Sequence, residues 1–71
     1  MLTLQINGQP KDIDLAQPAK LSDLLEHLEI KLDRVAVEHN GNIAPRASWN
    51  ALLLTSGDRL EIVHFVGGGA T

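Results

Sequence analysis

The hydrophobic residues of this chain change their period along the sequence, and this change limits the possible folds more than any other feature. Leu2, Leu4 and Ile6 alternate with polar residues, as in a strand with one buried face. A stripe with the spacing of a helix follows, formed by Leu21, Leu24, Leu25 and Leu28. Alternation then returns at Val35 and Val37. Because the helix has one apolar face, we expect it to pack across a single sheet.

Turn signals and apolar runs place the remaining elements. Asn7-Gly8 and Asn40-Gly41 are dipeptides suited to tight turns with positive φ. We predict a hairpin within residues 1–15, a helix over 20–29, a strand at Val35-Val37, a short strand at Leu52–Leu54, a last strand over Arg59–Val66, and a buried Trp49 in the irregular segment. This order predicts an α+β fold, the ubiquitin-like β-grasp, with a mixed sheet of four to five strands and one main helix packed across it. By analogy with that topology, the first and last strands lie side by side and parallel.

Size and composition exclude several classes of function. A chain of 71 residues builds one small core and leaves little room for a catalytic cleft. Its net charge of −3 argues against binding to nucleic acid, which needs a basic face. The sequence contains no cysteine, which excludes disulfides and thiolate catalysis. It shows neither a basic leader nor a long apolar segment, so we expect no membrane partner and a cytoplasmic location.

Gly67-Gly68-Gly69 is the most unusual feature of the sequence. Three glycines maximise backbone freedom and would destabilise a helix or a strand. We therefore divide the chain into a β-grasp domain over 1–66 and a flexible glycine-rich tail over 67–71. This tail is either a frayed terminus or a thread that enters a narrow site on a partner. As a thread, it reaches about 10 Å from Val66 to Gly69.

The alternation of the last strand predicts a docking surface next to the tail. Leu60 and Ile62 share the face that fits the core. Val63 and Phe65 fall on the opposite face, where an apolar pair is unusual and is typical of a contact with a partner. Ala36, on the outer face of the third strand, extends this surface. The alternative is a bulge near Val63 that reverses the register and buries these side chains.

The other chemically active residues are interpreted as structural. His27, His39 and His64 lack the helical spacing of metal ligands, so we predict solvated or hydrogen-bonded histidines and no metal site. Asp58 is expected to cap a turn, and Arg46 either to hold the irregular segment or to contact a partner. We predict no catalytic residue and no bound cofactor, and therefore no enzyme.

Several segments of the second half occur together at a characteristic spacing. They are Val35-Ala36-Val37-Glu38 with Asn40, Ile43, Pro45-Arg46, Trp49, Gly57-Asp58, Leu60-Glu61-Ile62-Val63 and Phe65-Val66-Gly67-Gly68-Gly69. With these segments the chain resembles the ThiS family, the ubiquitin-like sulfur carriers of thiamine thiazole synthesis. The first half agrees through its hairpin and through the helix at Leu24 to Leu28.

The resemblance implies chemistry at Gly69 that a partner performs. In that family a ThiF-type adenylating enzyme uses ATP and magnesium to adenylate the terminal glycine. Sulfur from a persulfide donor then replaces AMP, and a thiazole synthase takes the sulfur from the resulting thiocarboxylate. The resemblance assigns the thiocarboxylate to Gly69 and the insertion into a partner to Gly67 and Gly68. The carrier itself needs no acid, base or metal.

Ala70-Thr71 depart from the family pattern, which ends at the glycines. An internal Gly69 has no free carboxylate, so we expect a protease to remove Ala70-Thr71. Two alternatives stay open. One is a carrier that resembles the small subunit of molybdopterin synthase, and the other is a non-covalent β-grasp adaptor with a blocked tail.

Overall fold

The computed structural model describes residues 1–65, which form a five-stranded sheet with one α-helix packed across it. The strands are β1 (Leu2–Ile6), β2 (Gln9–Ile13), β3 (Ala19–Lys20), β4 (Val35–His39), β5 (Asn42–Ile43), β6 (Leu53–Leu54) and β7 (Arg59–His64). The helix α1 spans Leu21–His27, and two 3-10 turns span Leu32–Arg34 and Arg46–Ser48.

The main sheet has the strand order β2-β1-β7-β4-β5. β1 and β7 pair in parallel at its centre, whereas β2, β4 and β5 pair antiparallel to their neighbours. This topology confirms the predicted β-grasp fold and the predicted contact between the first and last strands. The predicted strand at Leu52–Leu54 is one residue shorter, and it lies outside the main sheet. As β6, it pairs with β3 in a separate two-stranded sheet.

The core lies between α1 and the inner face of the sheet. Leu21, Leu24 and Leu25 of the helix are fully buried, and they belong to the same cluster as Leu2 and Leu4 of β1. Trp49 is also buried, as predicted. Burial of leucine side chains contributes about 1.5–3 kcal/mol each, so this contact is the main source of stability for a domain of this size.

The helix is shorter than the predicted range 20–29. It begins after Lys20, whose backbone N–H donates to the Asp23 carboxylate at 2.9 Å. Leu28 is its C-terminal cap, and Glu29 has a φ of 59°, which is incompatible with a right-handed helix. The leucine stripe predicted the helix face correctly. Periodicity could not predict the positive φ of Glu29, which ends the helix early.

Both predicted turns have the conformation that their sequences favour. Asn7 and Gly8 have φ values of 52° and 83°, and Asn40 and Gly41 have values of 52° and 88°. Positive φ at both central residues matches the right-handed twist of the flanking strands. Each turn therefore fixes the register of a hairpin.

Within residues 1–65, no helix is long and apolar enough to span a bilayer. β7 ends at His64, so the predicted strand end at Val66 and the predicted tail at 67–71 lie outside the described residues. The division of the chain into a domain over 1–66 and a tail stays a prediction.

Candidate functional site: the outer face of the sheet beside the tail

An apolar pair, Val63 near the end of β7 and Phe65 just after it, lies on the outer face of the sheet. Leu60 and Ile62 are buried, whereas Val63 and Phe65 are 55% and 52% exposed. β7 pairs with β4 in an unbroken register, from Leu60 opposite His39 to His64 opposite Val35. The alternative of a bulge near Val63 is therefore excluded, and the predicted exposure of both side chains is confirmed.

Ala36 lies next to this pair. It is the cross-strand partner of Val63, so the two side chains are neighbours on the outer face, and Ala36 is half-buried. We call Ala36, Val63 and Phe65 the docking patch. The patch lies at the end of β7 that leads to the glycines, which is where a partner must bind if it also takes the tail.

Toward the start of β7, the outer face carries charged side chains, which are Arg59 and Glu61 of β7 and Glu38 of β4. Glu38 and Glu61 are direct cross-strand partners, and both are exposed. Ile43 is opposite Glu38 on the other side and is 67% exposed. Like charges placed directly opposite each other destabilise a sheet. The face thus combines an apolar end and an end of mixed charge, and only the apolar end was predicted as a functional surface.

The point where the chain leaves the sheet is fixed by the first 3-10 turn. The Phe65 backbone N–H donates to the Arg34 carbonyl at 2.8 Å. Phe65 is the last described residue, so this hydrogen bond is the last described contact before the tail. The position of the turn therefore sets where the chain leaves the sheet at Phe65.

Arg46 holds the irregular segment, which is one of its two predicted roles. Its guanidinium donates to the carbonyl oxygens of Leu32 and Val35. The guanidinium carbon also lies 4.7 Å from the ring centroid of Trp49. The indole N–H of Trp49 donates to the Ala44 carbonyl at 2.8 Å, which satisfies its buried polar group.

Asp58 caps its turn as predicted, by accepting the Thr55 backbone N–H at 2.9 Å. It also accepts a hydrogen bond from Nε2 of His39 at 2.9 Å, a partner that the sequence analysis missed. Burial by itself raises the pKa of the Asp58 carboxyl. The hydrogen bonds from His39, Thr55 and Asn40 outweigh that effect, so the pKa lies below its ordinary value.

The remaining histidines do not join this contact. His27 and His64 are exposed. Among residues 1–65, no group of three or more histidine, aspartate or glutamate side chains lies close enough to hold a metal ion. The pairing of His39 with Asp58 follows from the register of β4 against β7, which brings the end of β4 to the start of β7, and the sequence carries no local signal for it.

The parallel contact of β1 with β7, together with the helix across the sheet, defines a ubiquitin-like β-grasp domain. Residues 4–69 match the model of the ThiS family. The chain belongs to this family.

Similar proteins agree with that assignment. The chain is 37% identical over 67 residues to the sulfur carrier protein ThiS of Bacillus subtilis, covering 93% of this chain and 98% of the relative. It is 34% identical over 68 residues to part of a thiazole synthase of Magnetococcus marinus, where the match covers 96% of this chain and 20% of that protein. The crystal structure of the thiamine biosynthesis protein ThiS from Geobacter metallireducens superposes with a TM-score of 0.82 at 33% identity, covering 96% of this chain and all of that one.

Proposed function

We propose that this chain is a sulfur carrier, a protein co-substrate rather than an enzyme, which delivers sulfur for the thiazole ring of thiamine. The observation that carries the proposal is the family match, because it runs through the glycines and ends at Gly69. The relative from Bacillus subtilis, named as a sulfur carrier, supports the same role over nearly its whole length. The cytoplasmic location is part of the proposal.

The chemistry takes place at the Gly69 carboxylate. An oxygen of this carboxylate attacks the α-phosphorus of ATP, and pyrophosphate leaves with its magnesium ion. The terminal sulfur of a persulfide then attacks the carbonyl carbon of the acyl-adenylate and displaces AMP. A thiol reduces the resulting acyl disulfide by forming a disulfide with the donor, which leaves the thiocarboxylate on Gly69. A glycine suits this position because it has no β-carbon to hinder either attack.

The docking patch and the tail have different roles in binding the partner. The exposed side chains of Val63 and Phe65 provide apolar area for affinity, and Ala36 lets a partner approach the sheet closely. Gly67 and Gly68 then thread Gly69 into a narrow site. The catalytic groups, ATP and magnesium all belong to the ThiF-type partner. The carrier binds this partner and places Gly69 in its active site.

Thiazole synthase is the proposed acceptor of the sulfur. The thiazole synthase of Magnetococcus marinus contains, within one polypeptide, a segment similar to this chain. A carrier and its acceptor work on the same intermediate, so their presence in one polypeptide favours the thiazole pathway over the molybdopterin pathway.

Removal of Ala70-Thr71 is a required step of this proposal, because Gly69 must carry a free carboxylate. The family match stops at Gly69, which supports cleavage after this residue. A protease that cleaves after Gly69 would expose the reactive carboxylate.

Intact mass spectrometry tests the proposal with three matched chains that end at Thr71, Gly69 and Gly68. Each is incubated with the adenylating enzyme, ATP, magnesium and a persulfide donor. We expect the chain ending at Gly69 to exchange one oxygen for sulfur, and the chain ending at Thr71 to do so after it loses two residues in a cell extract. The chain ending at Gly68 shows whether the adenylating enzyme accepts a tail that is one residue shorter.

Two results would overturn parts of this proposal. If the chain ending at Gly69 is never adenylated by an enzyme that is active on the ThiS protein of Bacillus subtilis, the non-covalent adaptor becomes the better explanation. If the protein purified from its own cells keeps Ala70-Thr71 while thiazole forms, maturation at Gly69 is wrong.

A further inference from the structure

Arg46 joins the 3-10 turn before β4 to the irregular segment that contains Arg46 and Trp49. Its two terminal nitrogens donate to different carbonyls, Nη1 to Leu32 and Nη2 to Val35. The central carbon of the guanidinium lies over the ring of Trp49. Trp49 is 4% exposed and belongs to the core. The guanidinium thus links the 3-10 turn before β4 to the buried ring of Trp49.

These contacts require an arginine. A guanidinium presents several N–H donors in a rigid, planar fork, and it stacks on an aromatic ring. A lysine ammonium is a compact charge on a flexible stem, and it does not match this combination of two carbonyls and a ring. The Val35 carbonyl also needs a donor from outside the sheet, because β5 pairs with β4 at Glu38 and His39 alone.

The turn that Arg46 holds also anchors the last described residue. Arg34 lies between the two carbonyls that bind Arg46, and its own carbonyl accepts the Phe65 N–H at 2.8 Å. A displacement of the turn would therefore move the point at which the chain leaves the sheet.

We infer that Arg46, which lies over the ring of Trp49, is a positioning residue that fixes where the chain leaves the sheet at Phe65. The guanidinium acts through the turn and does not contact the reacting atoms. For a carrier whose end must enter a narrow site, a fixed exit reduces the conformations that are lost on insertion. This consequence rests on the proposed function, whereas the anchoring of Phe65 does not.

The test compares Arg46→Gln and Arg46→Lys with the control Lys11→Gln. Lys11 is exposed on the edge strand β2, which does not pair with β7. Lys11→Gln therefore removes the same positive charge without affecting the Arg46 contacts. The first measurement is amide hydrogen exchange by NMR on the full chain. We expect Arg46→Gln to speed exchange at Phe65 about tenfold while Ile62 stays within about twofold, because the opening is local. Arg46→Lys should show a smaller increase, and the control none.

The second measurement is the rate of adenylation of chains ending at Gly69. We expect Arg46→Gln to lower kcat about tenfold with KM within about twofold, because the docking patch is intact but the tail is misdirected. A purely structural role would instead speed exchange at Phe65 and Ile62 equally and leave kcat unchanged.

The two proposals fail in different ways. Unchanged Phe65 exchange in a folded Arg46→Gln or Arg46→Lys protein would overturn the positioning role. If Arg46→Gln fails to fold, Arg46→Lys decides by the same criterion. Failure of the unsubstituted chain ending at Gly69 to be adenylated would overturn the sulfur-carrier proposal, and hydrogen exchange would still test the anchoring of Phe65.

Discussion

His39 donates a hydrogen bond from Nε2 to the Asp58 carboxylate at 2.9 Å and so joins the end of β4 to the turn before β7. The contact is well shielded, since the two side chains are 23% and 14% exposed. Asp58 also accepts hydrogen bonds from the Thr55 backbone and the Asn40 side chain. One carboxylate therefore holds two turns together at the end of the sheet opposite Phe65.

The Asp58 carboxylate makes stability depend on pH. Its pKa in the folded protein lies below the ordinary value of 3.8, because the hydrogen bonds outweigh the opposing effect of burial. A lowered folded pKa means that the stabilisation is complete above the unfolded pKa and is lost as the pH falls through the folded one. We expect Asp58→Asn to lower the free energy of unfolding by about 1–2 kcal/mol at neutral pH, and by less near pH 3.

Urea unfolding at the two pH values measures this difference. Asp14→Asn is the matched control, because Asp14 is exposed and the variant makes the same change of charge. A destabilisation by Asp58→Asn that is equally large near pH 3 would show that the ionised carboxylate is not the source.

Asn7 extends the central pairing of β1 with β7 beyond the end of β1. Its side-chain oxygen accepts the Ile62 backbone N–H at 2.7 Å, and its amide nitrogen donates to the Ile62 carbonyl at 3.2 Å. Asn7→Asp keeps the acceptor and tolerates the positive φ, but it places a carboxylate oxygen against a carbonyl. We expect a loss of about 1–2 kcal/mol in the free energy of unfolding.

Chemical denaturation of Asn7→Asp beside Asn42→Asp checks this prediction. Asn42 is exposed on the edge strand β5, so its variant introduces the same charge without the central contact. Asn7→Ala should cost more than Asn7→Asp, because it loses both hydrogen bonds and strains the backbone. Equal stability of the two aspartate variants would contradict the role of the Ile62 contacts.

Glu38 and Glu61 oppose each other on neighbouring strands, and their repulsion should be measurable. In a double-mutant cycle with Glu38→Ala and Glu61→Ala, we expect an unfavourable coupling of about 0.2–1 kcal/mol at low salt. High salt should remove most of it, since both side chains are exposed. A coupling that is favourable, or insensitive to salt, would contradict simple repulsion between the two carboxylates.

The strand alternation predicted the outer face well, because a side-chain period of two leaves no freedom once one face is buried. It placed Val63 and Phe65 outside and Leu60 and Ile62 inside. The helix face and both Asn-Gly turns were equally predictable, since each depends on residues within a few positions. Gly67, Gly68 and Gly69 were identified by composition, and their roles stay predictions because they lie outside the described residues.

The parallel pairing of the first and last strands was predicted by analogy, but side-chain contacts that depend on strand register were not predictable. β3, β5 and β6 have two residues each, which is too short for any periodicity. His39 and Asp58 are 19 residues apart, and their contact follows from the register of β4 against β7. The roles of Arg46 also depend on tertiary structure, because its carbonyl partners carry no side-chain signal in the sequence.

Phe65 should contribute to partner binding much more than to folding. Its side chain is 52% exposed, so Phe65→Ala removes little buried area from the domain but a large part of the docking patch. We expect affinity for the adenylating enzyme to fall about ten- to a hundredfold, as for an aromatic residue at the centre of an interface. The free energy of unfolding should fall by less than about 1 kcal/mol.

Leu53→Ala is the matched control for this prediction. Leu53 is 58% exposed, but it lies on β6 in the two-stranded sheet and outside the docking patch. Both variants lose a large exposed apolar side chain, so a general effect of surface hydrophobicity would weaken binding equally. Calorimetric titration should show weaker binding for Phe65→Ala alone. Unchanged affinity of a folded Phe65→Ala protein would show that the partner binds elsewhere, even if the tail is still adenylated.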